Sequence, residues 1–168
     1  MQNKGFTLIE LLIVVAIIGI LAAVGAVVIP NVLDNTKKSA SQANHQTVVD
    51  FITTSVVQCS LNQELILKYS YDLNSKKITY TNNQCPNVLV GNAAKMQSAF
   101  ANHFNSPKWC NPYGLKHSNG SCQEAVANGG SINNGKLGET QIINTNKNFL
   151  IINTKISDNK FLTNRINL

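Results

Sequence analysis

Apolar residues fall into three successive patterns along the chain. From Leu11 to Ile29 they run unbroken through nineteen positions with no charge, no Asn or Gln and no proline. A helix needs about twenty such residues to cross a bilayer, at roughly 1.5 Å of rise each. From residue 31 the run gives way to a mixed stretch in which Val48, Ile52 and Val56 recur every fourth position, flanked by Val49 and Phe51. That spacing predicts an amphipathic helix continuing the first one. Lys37, Lys38, Gln42 and Asn44 then belong to its solvated or inter-subunit sides, and His45 reads as a solvated helical residue. A single helix is therefore expected from Phe6 to Gln58, with Cys59 ending it.

Beyond Cys59 the runs are short. Glu64–Tyr71 and Lys76–Thr81 predict a hairpin turning at Asp72-Leu73-Asn74-Ser75 and closed off by Cys85-Pro86. Ala93, Met96, Phe100 and Phe104 lie at helical spacing in AAKMQSAFANHF, which predicts a helix with a core face over 93–104. Residues 105–138, rich in Gly, Pro, Asn and Ser, read as an irregular region. Thr140–Asn144, Asn148–Ile156 and Lys160–Ile166 predict a meander of antiparallel strands.

Four cysteines, Cys59, Cys85, Cys110 and Cys122, all follow the apolar run. An even count confined to an exported part points to two disulfides in an oxidising compartment, and the local pairing, Cys59–Cys85 with Cys110–Cys122, is preferred. Zinc is the competing use, since His103, Cys110, His117 and Cys122 could converge, but no C-x-x-C or H-x-x-x-H spacing supports it. Net charge is +6, with charged residues only 13% of the chain. The lysines are scattered rather than gathered into a basic stripe, so nucleic acid is not indicated.

One carboxylate interrupts the apolar start. A signal peptide would have a shorter apolar run and a small-residue cleavage site after it, whereas a plain anchor, its N-terminus held in the cytoplasm by Lys4, leaves Glu10 unexplained. A carboxylate at membrane depth costs a few kcal/mol, so it normally has a partner or a task. The stretch Lys4–Val24, KGFTLIELLIVVAIIGILAAV, resembles the N-terminal signature of type IV prepilins and pseudopilins. The basic residue and glycine before Phe, the Glu five positions into the mature chain and the apolar run all match. The resemblance implies a pilin-like α+β fold, one long N-terminal helix packed against a small antiparallel sheet with a disulfide-clipped C-terminal region. It also implies four parts: a leader (1–5), a membrane and polymerisation half-helix (6–30), an amphipathic half-helix (31–58) and a globular head (59–168).

Carried over residue by residue, the resemblance makes Gly5–Phe6 the bond cut by a prepilin peptidase and Phe6 the N-methylated residue. Glu10 would then pair with the N-terminal amine of a neighbouring subunit and set register. The expected partners are other copies of the chain in a homopolymer, the peptidase, and the pilus assembly platform in the inner membrane. The expected location is that membrane before assembly and an extracellular pilus afterwards. Gly25 and Pro30 are the expected kink, because proline removes one helical hydrogen bond. Ala16, Gly19, Ala23 and Ala26 form a small-residue seam that lets helices approach closely.

No enzyme is expected. The other seven carboxylates, Asp34, Asp50, Glu64, Asp72, Glu124, Glu139 and Asp158, are isolated in sequence, with no pair placed for acid/base work. Nucleotide-binding, nucleophile-elbow and H-E-x-x-H motifs are absent. Ser157-Asp158-Asn159 supplies too few acidic ligands for calcium, so neither metal nor cofactor is expected. A pilus subunit is the favoured reading. The alternative is a pseudopilin of a type II secretion system, and a tethered enzyme or binding domain is the third.

Overall fold

The computed structural model describes residues 6–72, 74–106, 108–132, 134–146 and 148–168. Gly5, the residue before the expected cut, lies outside them, as does Leu73 in the expected hairpin turn. Two units are distinguished, one up to Thr36 and one from Lys37 to Leu168.

Helix α1 runs over Leu8–Ser60. Within the first unit every described side chain is exposed except Asp34, which is half-buried, as is the backbone position of Gly25. Among the described residues this is the one helix long and apolar enough to cross a membrane. The helix begins at Leu8, so Phe6 and Thr7 precede it rather than forming its first turn. At its far end Cys59 is not the last residue. Asn62 takes a left-handed φ of 58°, and Gln63 N–H donates to Gln58 O at 3.1 Å. Asn tolerates that conformation better than most residues, and the turn stops the helix.

The second unit is organised around the later part of α1. Strands β1 (Lys68–Asp72) and β2 (Lys77–Tyr80) pair antiparallel as the expected hairpin. Its turn is held by Asp72, which accepts from Asn74 N–H at 2.9 Å and from the Ser75 hydroxyl at 2.7 Å. Then come α2 (Cys85–Leu89), a single turn not foreseen from the sequence, and α3 (Ala93–Phe104), with the expected bounds. Asn92 caps α3 by accepting from Lys95 N–H, which satisfies one of the donors a helix start leaves open.

Four strands form the main sheet in the order β3-β4-β5-β6: β3 (Val126–Gly129), β4 (Thr140–Asn146), β5 (Phe149–Ser157) and β6 (Lys160–Asn167). The last three make the expected antiparallel meander. β3 was not expected; it pairs parallel with β4, Val126 opposite Thr140. Helix α3 holds this pair in place. Gln97 Nε2 donates to Gly129 O and Ile142 O, each at 2.8 Å, and Asn105 Nδ2 donates to Val126 O at 2.7 Å. Gly129 allows the close approach, since a Cβ there would stand 2.5 Å from Ile143 Cγ1.

The core gathers Val48 and Ile52 from α1, Met96 and Phe100 from α3, Leu65 and Leu67 from the segment before β1, and Ile142, Leu150 and Ile152 from the sheet. Phe51 sits among rings, edge-on to Phe100 at 6.1 Å and stacked on His103 at 4.3 Å. The helical stripes read from the sequence therefore meet in one cluster. Asn44, expected on a solvated or inter-subunit side, and His45, expected to be solvated, are buried with them.

Candidate assembly element at the N-terminus

The first turn of α1 is built by Thr7 and Glu10. Glu10 Oε2 accepts from Thr7 N–H at 2.8 Å and from the Thr7 hydroxyl at 2.7 Å, while Glu10 N–H donates back to Thr7 Oγ1 at 3.3 Å. This reciprocal pairing is a capping box, and its sequence signal, T-x-x-E ahead of an apolar run, is present in TLIE. The sequence reading missed Thr7. The carboxylate is thus satisfied within its own chain by a neighbour three residues away, and it remains exposed.

Phe6 stands ahead of the cap and is 86% exposed. Behind Glu10, Leu11, Ile13, Val15, Ile18, Leu21 and their neighbours present apolar surface on every side of the helix. A helix apolar all round is stable only where something apolar surrounds it. The small residues leave room on this surface. A Cβ added at Gly19 would meet nothing within 4 Å, and one at Gly25 only Ile29 Cδ1 at 3.7 Å. Leu21, Ala22, Gly25, Ala26, Ile29 and Pro30 line a shallow apolar groove. Pro30 lies inside the continuous helix, where it has no N–H to donate to Ala26 O.

The remaining candidates lie in the second unit. Cys59 is bonded to Cys85 and Cys110 to Cys122. Both zinc-candidate cysteines are thereby consumed, and no cluster of potential metal ligands occurs among the described residues. His117 instead meets Glu124 at 3.1 Å, and Lys108 meets the other carboxylate oxygen at 2.9 Å. Burial would push the Glu124 carboxyl up, but the bonds from Lys108 and His117 bring it below its ordinary value. His103 is stacked in the aromatic cluster, its Nδ1 accepting from Lys68 N–H at 3.1 Å. Burial, then the Lys68 charge, push it down to about 4. His45 is the clearest departure from expectation. It is buried, bonded to Thr154 and Asn164, because the face it shares with Val48 and Ile52 turns toward the sheet.

Residues 1–26 match the family described as the prokaryotic N-terminal methylation motif. Over 92 residues the chain is also 44% identical to the type IV wide pilus major component PilA4 of Thermus thermophilus, a match covering 54% of this chain and 56% of that protein. The chain thus spans just over half the length of the curated relative it matches. No solved structure matches it. The matched stretch ends at residue 26, four residues before Pro30, and from Leu8 onward it lies within the exposed apolar part of α1.

Proposed function

We propose that the protein is a structural subunit of a type IV pilus, cut between Gly5 and Phe6, methylated on the new Phe6 amine and polymerised through the first part of α1. The observation that carries this reading is a fully exposed apolar helix with a carboxylate at its start, inside a matched methylation motif. In lipid, the apolar surface is covered by acyl chains. In a filament, the same surface is covered by the corresponding helices of neighbours, and the open positions at Gly19 and Gly25 admit them closely.

Cleavage would change the role of Glu10. Before it, the carboxylate is satisfied among the described residues by Thr7. Afterwards each subunit bears one cation at Phe6 and one anion at Glu10, and a neighbour's amine is the complementary group at that depth. An unpaired charge there is costly, so pairing between subunits selects one axial offset among the many that apolar contact alone would allow. The second unit forms the outer surface, and its two disulfides suit an extracellular location. A structural role accounts for these features without catalysis.

The relative that the chain matches is a type IV pilus component, which supports the pilus reading; a secretion pseudopilin is the alternative. The decisive experiment co-expresses the chain with a prepilin peptidase. The expected product begins at N-methyl-Phe6 by terminal sequencing and mass, and sheared fibres containing it are visible by electron microscopy. An uncut chain, or Gly5→Ala leaving both terminus and function unchanged, would refute the reading.

A further inference from the structure

The buried face of α1 is mostly apolar toward its C-terminal end, at Val48, Ile52 and Cys59 with Ser55 among them, and polar earlier, at Ser41, Asn44 and His45. His45 Nδ1 lies 2.9 Å from Thr154 Oγ1 on β5, and Nε2 lies 2.7 Å from Asn164 Oδ1 on β6. Thr154 Oγ1 is in turn 2.8 Å from Thr140 Oγ1 on β4. One side chain, 3% exposed, therefore ties the helix to three strands. Asn164 is exposed at the rim of the sheet, so water reaches the edge of the contact.

Most of the charged residues nearest in sequence to these contacts have partners of their own. On β5, Lys155 follows Thr154, and strand alternation puts it on the other face, its ammonium 6.0 Å from the Phe161 ring. On β6, Arg165 follows Asn164 and stacks on Phe149 at 3.8 Å, again on that other face. On β4, Glu139 precedes Thr140 and accepts from Lys136 N–H. On α1, Lys37 lies 5.7 Å from the Tyr113 ring, Lys38 is two turns before His45, and Asp50 accepts from Gln46. Among the described residues that bond to His45, none is a carboxylate.

We propose that His45 is an acid-sensitive latch. Neutral, it fastens the Ser41–Val48 stretch of α1 to β4–β6; protonated, it releases that stretch from the sheet. The two ring hydrogen bonds survive protonation, because Asn164 Oδ1 and the Thr154 hydroxyl can both accept. What protonation adds is a buried cation with no anion beside it, and that is the unfavourable element. Consistently, burial pushes the imidazole below its ordinary 6.5, outweighing the opposing bond from Asn164. A basic group depressed in this way leaves the folded form unpenalised above about 6.5. As pH falls further the latched form loses ground, by up to about tenfold per pH unit, until the folded-state pKa is passed.

The test uses the full chain in detergent micelles, following amide hydrogen exchange across 41–48 at about pH 7.5 and about pH 5, corrected for intrinsic rates. Protection in the unmodified protein should fall on acidification by more than in His45→Gln, which cannot charge at position 45 and keeps only the loss through His103 common to both. Retained protection in the unmodified protein at the lower pH would overturn the proposal, as would equal loss in His45→Gln. Should that variant not fold, NMR titration of the His45 ring decides. A midpoint below about 6.5 supports the latch, and one at or above it overturns the latch.

Discussion

Removing the two disulfides separately, each as a double Cys→Ala change, should cost unequal amounts of stability. The bridges close loops with sequence separations of 26 and 12 residues. Chain entropy alone assigns them about 3.5 and about 3 kcal/mol, a narrow difference. Packing widens it. Cys59 and Cys85 are 1% and 5% exposed and belong to the core cluster, so their loss also leaves a void, adding roughly 1 kcal/mol. Cys110 is exposed and Cys122 half-buried. Their loop also keeps backbone bonds of its own, Asn111 N–H to Gln123 O at 2.9 Å and Gln123 N–H to Leu115 O at 2.8 Å. The first pair should therefore cost about 4–5 kcal/mol and the second about 3 or less. Domains of this kind hold about 5–15 kcal/mol in total, so the first variant sits near the limit of folding. Trp109, the single tryptophan, packs 5.8 Å from Phe104 and reports urea unfolding by fluorescence. If removal of Cys110–Cys122 proved as damaging as removal of Cys59–Cys85, the assignment of the core to the first bridge would be wrong.

Three further outcomes are expected. Acid should destabilise the head through His103. Its folded pKa of about 4 lies below an ordinary 6.5, so the penalty is absent above 6.5, grows as pH falls and is complete below about 4; it amounts to on the order of 2–3 kcal/mol. His103→Gln should flatten urea midpoints across that window, and unchanged slopes would count against it. Glu10→Ala should stay in the membrane, with its helix weakened by up to about 1 kcal/mol through loss of the Glu10 half of the capping box, yet form no fibres; normal filaments by electron microscopy would remove the register argument. Gly19→Ile places a branched side chain where the monomer has open space. Membrane insertion and head stability should not change, while fibre yield falls at least about tenfold through lost helix approach.

Much of this architecture was legible because it rests on periodicity. Ala93, Met96 and Phe100 repeat along one helical face, and the meander strands alternate or run apolar between short polar breaks, so local pattern sufficed. Strand β3 was not legible. VANG carries no alternation, and it is a strand only because Gln97 of α3 and Asn105 just after it hold its carbonyls beside β4. His45 was misread for a related reason. A histidine next to polar residues on a helix looks solvated until β5 and β6, more than a hundred residues later, supply Thr154 and Asn164. Thr7 is different, because its capping partner is three residues away and its signal was in plain view. At the candidate assembly element, Glu10 stood out by itself, since a lone carboxylate in an apolar run is conspicuous without any structure.

The sheet ends in two unlike borders. On one side β3 offers only four residues. On the other, β6 carries Lys160, Thr163, Asn164, Arg165 and Asn167, all exposed. Short strands and outward cations are both poor templates for a further strand. For a protein proposed to work with many copies of itself held shoulder to shoulder, this matters. Neighbouring heads at very high local concentration are discouraged from zipping their backbones into a continuous ribbon, so adhesion between copies is left to side chains and to the N-terminal helices. An assembly joined in that way can be taken apart again subunit by subunit.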